Sequence, residues 1–166
     1  MVAVEHRGTC RLVDVLGEWG AHTAERGLGR KALDVLDAVD LALTYYSDGP
    51  RLMGRIFMAE PIACLRVMFT AADLPQIITH SGVPLSDVAT AKEKDDPVRG
   101  LVDSAERVLG PLICTCRGEY VTDGLQLHLP FVLFDGWHRG SAWVLHGRAG
   151  RVYPIAGRII VTRQSS

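Results

Sequence analysis

At 166 residues the chain is long enough to bury one hydrophobic core, and its 48% apolar and 22% charged residues are ordinary for a globular protein, which excludes intrinsic disorder. The formal net charge of −1 excludes a uniformly basic nucleic-acid binder, yet residues 136–166 hold five Arg and no Asp, Glu or Lys, a local excess that suits a polyanionic partner. The most apolar stretch, Leu52 to Leu74, is interrupted by Arg55, Glu60, Pro61 and Arg66, so no membrane span is expected. With Glu5, His6 and Arg7 breaking up the start before any signal-peptide core, a cytoplasmic location is expected.

Leu12, Leu16 and Trp19 recur at helical spacing and predict a helix from Thr9, as its cap, to about Arg26. Leu33, Leu36, Val39, Leu43 and Tyr46 predict a second helix over 30–46, stopped at Ser47-Asp-Gly-Pro50 and paired antiparallel with the first. Asp34, Asp37 and Asp40 lie opposite its apolar stripe. A solvated face accounts for them and metal binding is the alternative; as a DNA-recognition helix it would repel phosphates.

Ile56 to Met58 and Ile62 to Phe69 predict strands broken at Glu60-Pro61, because proline cannot donate to a central ladder. Asp73 should cap a short helix running through Ile77, Ile78 and His80 to Gly82, and Ala91 to Pro97 is polar surface. The cysteines are Cys10, Cys64, Cys114 and Cys116. Cys114 and Cys116 on a strand would share one face, which is awkward for a mutual disulfide and lacks the second pair of a zinc site, so buried reduced thiols are expected.

The most informative stretch is Leu129 to Gly147. Phe131 to Phe134 read as a buried strand, Asp135-Gly136 breaks it, and Ser141 to His146 is helical in character. Asp135 is placed as the N-cap, Gly136 permits a tight backbone, and His138 and Arg139 fall in the first turn, where free N–H groups and the helix dipole favour an anion.

Asp135-Gly136-Trp137-His138-Arg139 resembles the phosphate-holding box that opens a helix in the ParB/sulfiredoxin superfamily. Leu101 to Ile113, with Gly110-Pro111, is similar to the helix and strand preceding that box. Pro84 to Val88 and Asp95 to Arg99 look like the family's opening strand and first Arg-containing box, and Tyr153 to Ile155 and Arg158 to Thr162 like its closing strands. The resemblance implies an α/β fold with a small mixed sheet of ParB/sulfiredoxin type over 83–166, residues 131–134 central in it, and an added helical portion over 1–82 whose strands join the core.

For the site, it implies ATP or another nucleoside triphosphate held by Arg99, Gly136, Trp137, His138, Arg139 and Gly140. Asp135, His138 and Arg139 would act in catalysis, with Asp135 either capping the helix or holding Mg²⁺. Glu119 and Asp123 are spare carboxylates or simply a polar hairpin. Trp137 stands where sulfiredoxins carry a catalytic cysteine, so sulfinic-acid reduction is not expected; free serine kinases of the superfamily have histidine there.

Partition ParB proteins carry a helix-turn-helix domain after the box, whereas this chain stops soon after Thr162, so centromere-type DNA recognition is not expected. Stand-alone members imply an ATPase, a metal-dependent DNase or interference with conjugative DNA transfer. The rival is a non-catalytic nucleotide- or partner-binding module anchored by Trp19, Trp137 or Trp143. Arg148, Arg151, Arg158 and Arg163 extend the site into a basic track for non-specific DNA, or are plain surface charges.

Overall fold

The computed structural model describes residues 5–12, 14–15, 56 and 58–164. Six strands form one mixed sheet: β1 (Glu5–Thr9), β2 (Pro61–Phe69), β3 (Ile77–Ile78), β4 (Leu112–Val121), β5 (Gly124–Asp135) and β6 (Ile155–Thr162), in the spatial order β1-β2-β6-β4-β5-β3. Three α-helices lie wholly within the described residues, α1 (Leu85–Lys92), α2 (Asp96–Asp103) and α3 (Trp137–Arg148). β2 runs antiparallel to both of its neighbours, β1 and β6; β4 lies parallel to β6 and antiparallel to β5, and β3 is parallel to β5.

The central strand β6 explains its own position. Ile159, Ile160 and Val161 are all fully buried, the continuous apolar run expected of a strand covered on both faces. Odd-numbered residues of β6 join Leu65, Val67, Phe69, Phe131 and Leu133 beneath α1 and α3, while Ile160 joins Cys64, Ile113, Val15 and Ile56 on the opposite face. At Gly157 the first layer is so close that an added Cβ would fall 2.2 Å from a ring carbon of Phe69. Phe69 meets Phe131 edge-on at 5.4 Å, worth about 1 kcal/mol beyond its buried area.

Cys114 and Cys116 both point into the helix-covered core, and all four cysteines are free thiols. Burial pushes Cys64 up to about 12, with the neighbouring Cys10 adding to the shift; it pushes Cys116 up to about 11 and raises Cys114 as well.

Several expectations are corrected. Residues 5–9 form an edge strand, so Thr9 ends β1 and helical residues begin at Leu12. Ile56 and Met58 are helical; Ile56 packs with Ile160 and Cys64 and Met58 is exposed. The short helix after Asp73 is a single 3-10 turn, Leu74–Gln76, and Ile77–Ile78 leave it to pair with Phe131 and Val132 as β3. The Asp73 carboxylate instead turns back to accept from the Thr70 backbone N–H at 2.7 Å and the Thr70 hydroxyl at 2.9 Å.

Pro84 makes only an isolated bridge to Ile78, and the expected opening strand at 84–88 is the start of α1, whose Leu85, Val88 and Ala89 are buried. α2 ends at Asp103, since Ser104 is extended. β5 lies next to the short edge strand β3, and the centre of the sheet belongs to β6 and β4. β2 does join the core from the N-terminal portion, between β1 and β6. The predicted helix over 30–46 lies outside the described residues.

Candidate functional site

The strand-to-helix junction at 135–140 has the expected outline. β5 ends at Asp135, Gly136 turns the chain with φ of 103°, and α3 begins at Trp137, closing its first turn with Gly140 N–H on Gly136 O at 2.7 Å. That φ belongs to the left-handed region, which glycine enters without a steric cost, and a Cβ there would also lie 2.9 Å from Leu112 Cδ2. Gly136 is therefore the N-cap, a correction to the placement of Asp135, and no side chain caps the helix.

Asp135 is occupied otherwise. Its Oδ2 accepts from Nη2 of Arg139 at 3.2 Å, and the two side chains are only 17% and 15% exposed. The guanidinium folds back over the turn, with Nη2 3.5 Å from where a Cβ on Gly136 would stand. A cation beside a helix N-terminus opposes the dipole, and the Asp135 carboxylate offsets that cost. Trp137 is half-buried, its ring edge-on to His80 at 6.3 Å, and His138 is half-buried beside it.

Gly140 is buried and faces α1: a Cβ there would lie 3.2 Å from Leu85 Cδ2, so its smallness serves helix packing. Arg99 stands on α2 in an exposed pair with Asp96 at 3.7 Å. α2 meets the far end of α3, where the Val102 carbonyl lies 3.0 Å from His146 Nε2, about 10 Å along the helix from Arg139. The junction thus unites Asp135, Gly136 and Arg139 with the backbone N–H of Gly140, and the described contacts of Arg99 lie elsewhere.

The four downstream arginines do not share one surface. Arg148 donates to Thr90 Oγ1 and to the Ser86 carbonyl, both at 2.8 Å, fastening α3 to α1. Arg151 donates to the carbonyls of Ser104, Ala105 and Glu106 at 3.0 to 3.2 Å, closing the loop after α2. Arg158 sits opposite Arg66 in the β2–β6 ladder, on the sheet face away from α3, and Arg163 follows the end of β6, 3.9 Å from Glu60. Trp143 is core, donating its indole N–H to the Tyr153 carbonyl at 2.7 Å, and Trp19 lies outside the described residues.

Two cavities lie away from the junction. One, about 240 Å³, is mostly apolar, with Leu74, Trp143, Val144 and Tyr153 in its wall and Arg148 and Arg151 at its edge. The other, about 400 Å³, is lined by Ile62, Arg117, Glu119, Tyr120, His128 and Arg163. Glu119 was legible as part of a polar hairpin, but Arg117, Tyr120 and His128 were missed. Their signal was the turn at Thr122-Asp123: once Val121 pairs with Gly124, the register brings His128 across from Arg117. Among the described residues no three His, Cys, Asp or Glu side chains form a metal-binding group, and no helix is long and apolar enough to cross a membrane. No protein-family model, curated protein or solved structure matches the chain.

Proposed function

We propose that this chain is a ParB-like nucleotide-binding protein that holds the phosphates of ATP or another nucleoside triphosphate at the start of α3. The observation that carries this reading is the uncapped helix N-terminus, presented through left-handed Gly136 with the Arg139 guanidinium folded beside it. Backbone donors and a fixed cation converging on one turn suit a phosphate. Trp137 and His138 flank the turn and are the side chains nearest in sequence to orient the ligand. Mg²⁺ takes one or two carboxylates together with phosphate oxygens and water, so Asp135 is the protein ligand we assign to it. To hold Mg²⁺, Asp135 would have to give up its pairing with Arg139, which would leave the Arg139 guanidinium for phosphate.

Hydrolysis of the nucleotide, or metal-dependent cleavage of DNA, is the catalytic form of this proposal; a role in limiting conjugative DNA transfer rests on the family resemblance alone. The second form is a binding module without turnover. The tight Asp135–Arg139 pair favours it, because neither side chain stands ready for chemistry before the ligand separates them.

Calorimetry with ATP, CTP and GTP in the presence of Mg²⁺ tests the site. Arg139→Ala should weaken binding at least about tenfold with an unchanged circular dichroism spectrum. Absence of binding for all three nucleotides, or equal binding by the variant, overturns the assignment. Phosphate release and plasmid nicking with and without EDTA then separate the two forms: turnover that Arg139→Ala lowers about ten- to a thousandfold selects the enzyme, and binding without turnover selects the module.

A further inference from the structure

β6 ends at Thr162, paired with Arg117, so residues 118–121 of β4 and 124–127 of β5 continue beyond the sheet as a two-stranded ribbon. No other described strand flanks that ribbon on either side. The cavity of about 400 Å³ lies where the ribbon leaves the sheet, and its lining is chemically mixed.

Arg117 is exposed, and its guanidinium makes no hydrogen bond or ion pair among the described residues. Arg163, two-thirds exposed, has only a loose pair with Glu60 at 3.9 Å. His128 Nε2 lies 3.0 Å from Glu119 Oε1, which fixes the ring and offsets the one carboxylate in the lining. Tyr120 is 67% exposed and Ile62 supplies an apolar wall.

Two arginines without a tight carboxylate partner make an anion site, because each guanidinium presents a fork of donors matched to phosphate oxygens. An exposed tyrosine beside them adds a flat π surface, which takes a planar ring without regard to its substituents. A bare phosphate leaves most of a 400 Å³ space unfilled, whereas a phosphate joined to a sugar and a base occupies it.

We infer that the base of the β4–β5 ribbon is a nucleotide-unit binding site, with Arg117 and Arg163 on the phosphate and Tyr120 stacked on the base. His128 is oriented by Glu119 and lines the cavity beside them. The unit comes either from a single-stranded nucleic acid or from a free mononucleotide. This site does not rest on the junction at α3: His128 and Asp135 are seven residues apart on β5, roughly 20 Å. It is also separate from Arg148 and Arg151, whose guanidiniums bond to α1 and to the loop after α2, and from Arg158, which bonds to the adjacent Gly157 carbonyl.

The test uses the full chain and three probes: a fluorescently labelled oligothymidylate read by anisotropy, and thymidine monophosphate and inorganic phosphate read by calorimetry. Arg117→Ala should weaken oligothymidylate binding about tenfold or more and reduce the salt slope by about 0.7. Tyr120→Ala should weaken it roughly five- to a hundredfold, Glu119→Gln should strengthen it, and Arg139→Ala should leave it unchanged. Both ribbon positions are exposed, so the variants should fold, and their melting temperatures confirm it.

Oligothymidylate bound more tightly than the monophosphate identifies a strand as the source, and equal affinity identifies the free nucleotide; both results support the inference. It is overturned if neither probe binds, or if Arg117→Ala and Tyr120→Ala bind like the wild type. Inorganic phosphate binding as tightly as the nucleotide, with Tyr120→Ala without effect, overturns it in favour of an anion site only. Loss of binding in Arg139→Ala overturns it by moving the probe to α3, and leaves the junction reading standing.

Discussion

The phenolic oxygen of Tyr153 lies 2.6 Å from Nδ1 of His146 and accepts the Val108 backbone N–H at 2.9 Å, with all three residues buried. The phenol donates to one partner while accepting from the other, so neither polar group is stranded in the core. It also joins the end of α3 to the segment leading into β4, across 45 residues of sequence. Tyr153→Phe keeps the ring and removes the oxygen, leaving two buried groups without a partner. We expect a loss of roughly 2 to 4 kcal/mol in urea unfolding, with a native circular dichroism spectrum below the transition. A variant as stable as the wild type would show that water or a shifted neighbour replaces the phenol.

Arg151 separates structural from ligand-binding arginines. Its guanidinium serves the carbonyls of Ser104, Ala105 and Glu106, and Nη1 is also 3.0 Å from His146 Nε2. Arg151→Ala should therefore cost about 1 to 3 kcal/mol of stability while leaving affinity for a nucleic-acid probe intact. Lower affinity at unchanged stability would return Arg151 to the binding surface.

How much of this was legible depends on how far each partner lies along the chain. The junction at 135–140 could be read because Phe131 to Phe134, the break at Asp135-Gly136 and the following helix are consecutive. The cap was displaced by one residue because a φ of 103° is a demand of the backbone that only Gly136 meets comfortably. Ile77 and Ile78 looked like the end of a helix, and they are a strand because Phe131 and Val132, more than 50 residues later, offer them a parallel edge. β1 carries Glu5, His6 and Arg7 on an exposed edge, with no apolar alternation to betray it. Charge counting made the downstream arginines one basic group; whether a guanidinium is available depends on carbonyls that folding brings from distant segments.

Gly157 marks the tightest approach in the core. A methyl there would meet Phe69 ring carbons at 2.2 and 2.5 Å and Val67 Cγ2 at 2.9 Å, all within one packed layer. Overpacking of that kind costs about 1 to 3 kcal/mol or more, so Gly157→Ala should lower the melting temperature by several degrees or prevent soluble expression. Combining it with Phe69→Leu should recover part of the loss if ring contact is the cause. No recovery would place the strain in the β2–β6 backbone.

The buried thiols predict a limit at alkaline pH. Burial holds Cys64 near 12 and Cys116 near 11 against an ordinary 9.0, and raises Cys114 too. Above pH 9 the unfolded chain releases these protons while the folded chain keeps them. The stabilisation is therefore complete below pH 9 and declines as the pH climbs toward the folded values. Urea midpoints measured from pH 8 to 10.5 should fall above pH 9, with a slope of about 1 to 2 kcal/mol per pH unit for the three thiols together after allowance for solvent screening. Cys116→Ala should make the fall shallower. A flat profile would mean that the thiols ionise in place.

The two outermost strands of the sheet are both poor templates for another chain. β3 is two residues long, and β1 is five residues with its ladder broken between His6 and Gly8 and an ion pair, Arg7 with Glu5, on its side chains. A neighbouring molecule adding a strand at either end would find too few aligned N–H and C=O groups to hold it. The buried run of β6 sits in the middle of the sheet, between β2 and β4, so neither β1 nor β3 opens a path from the ends of the sheet to its backbone.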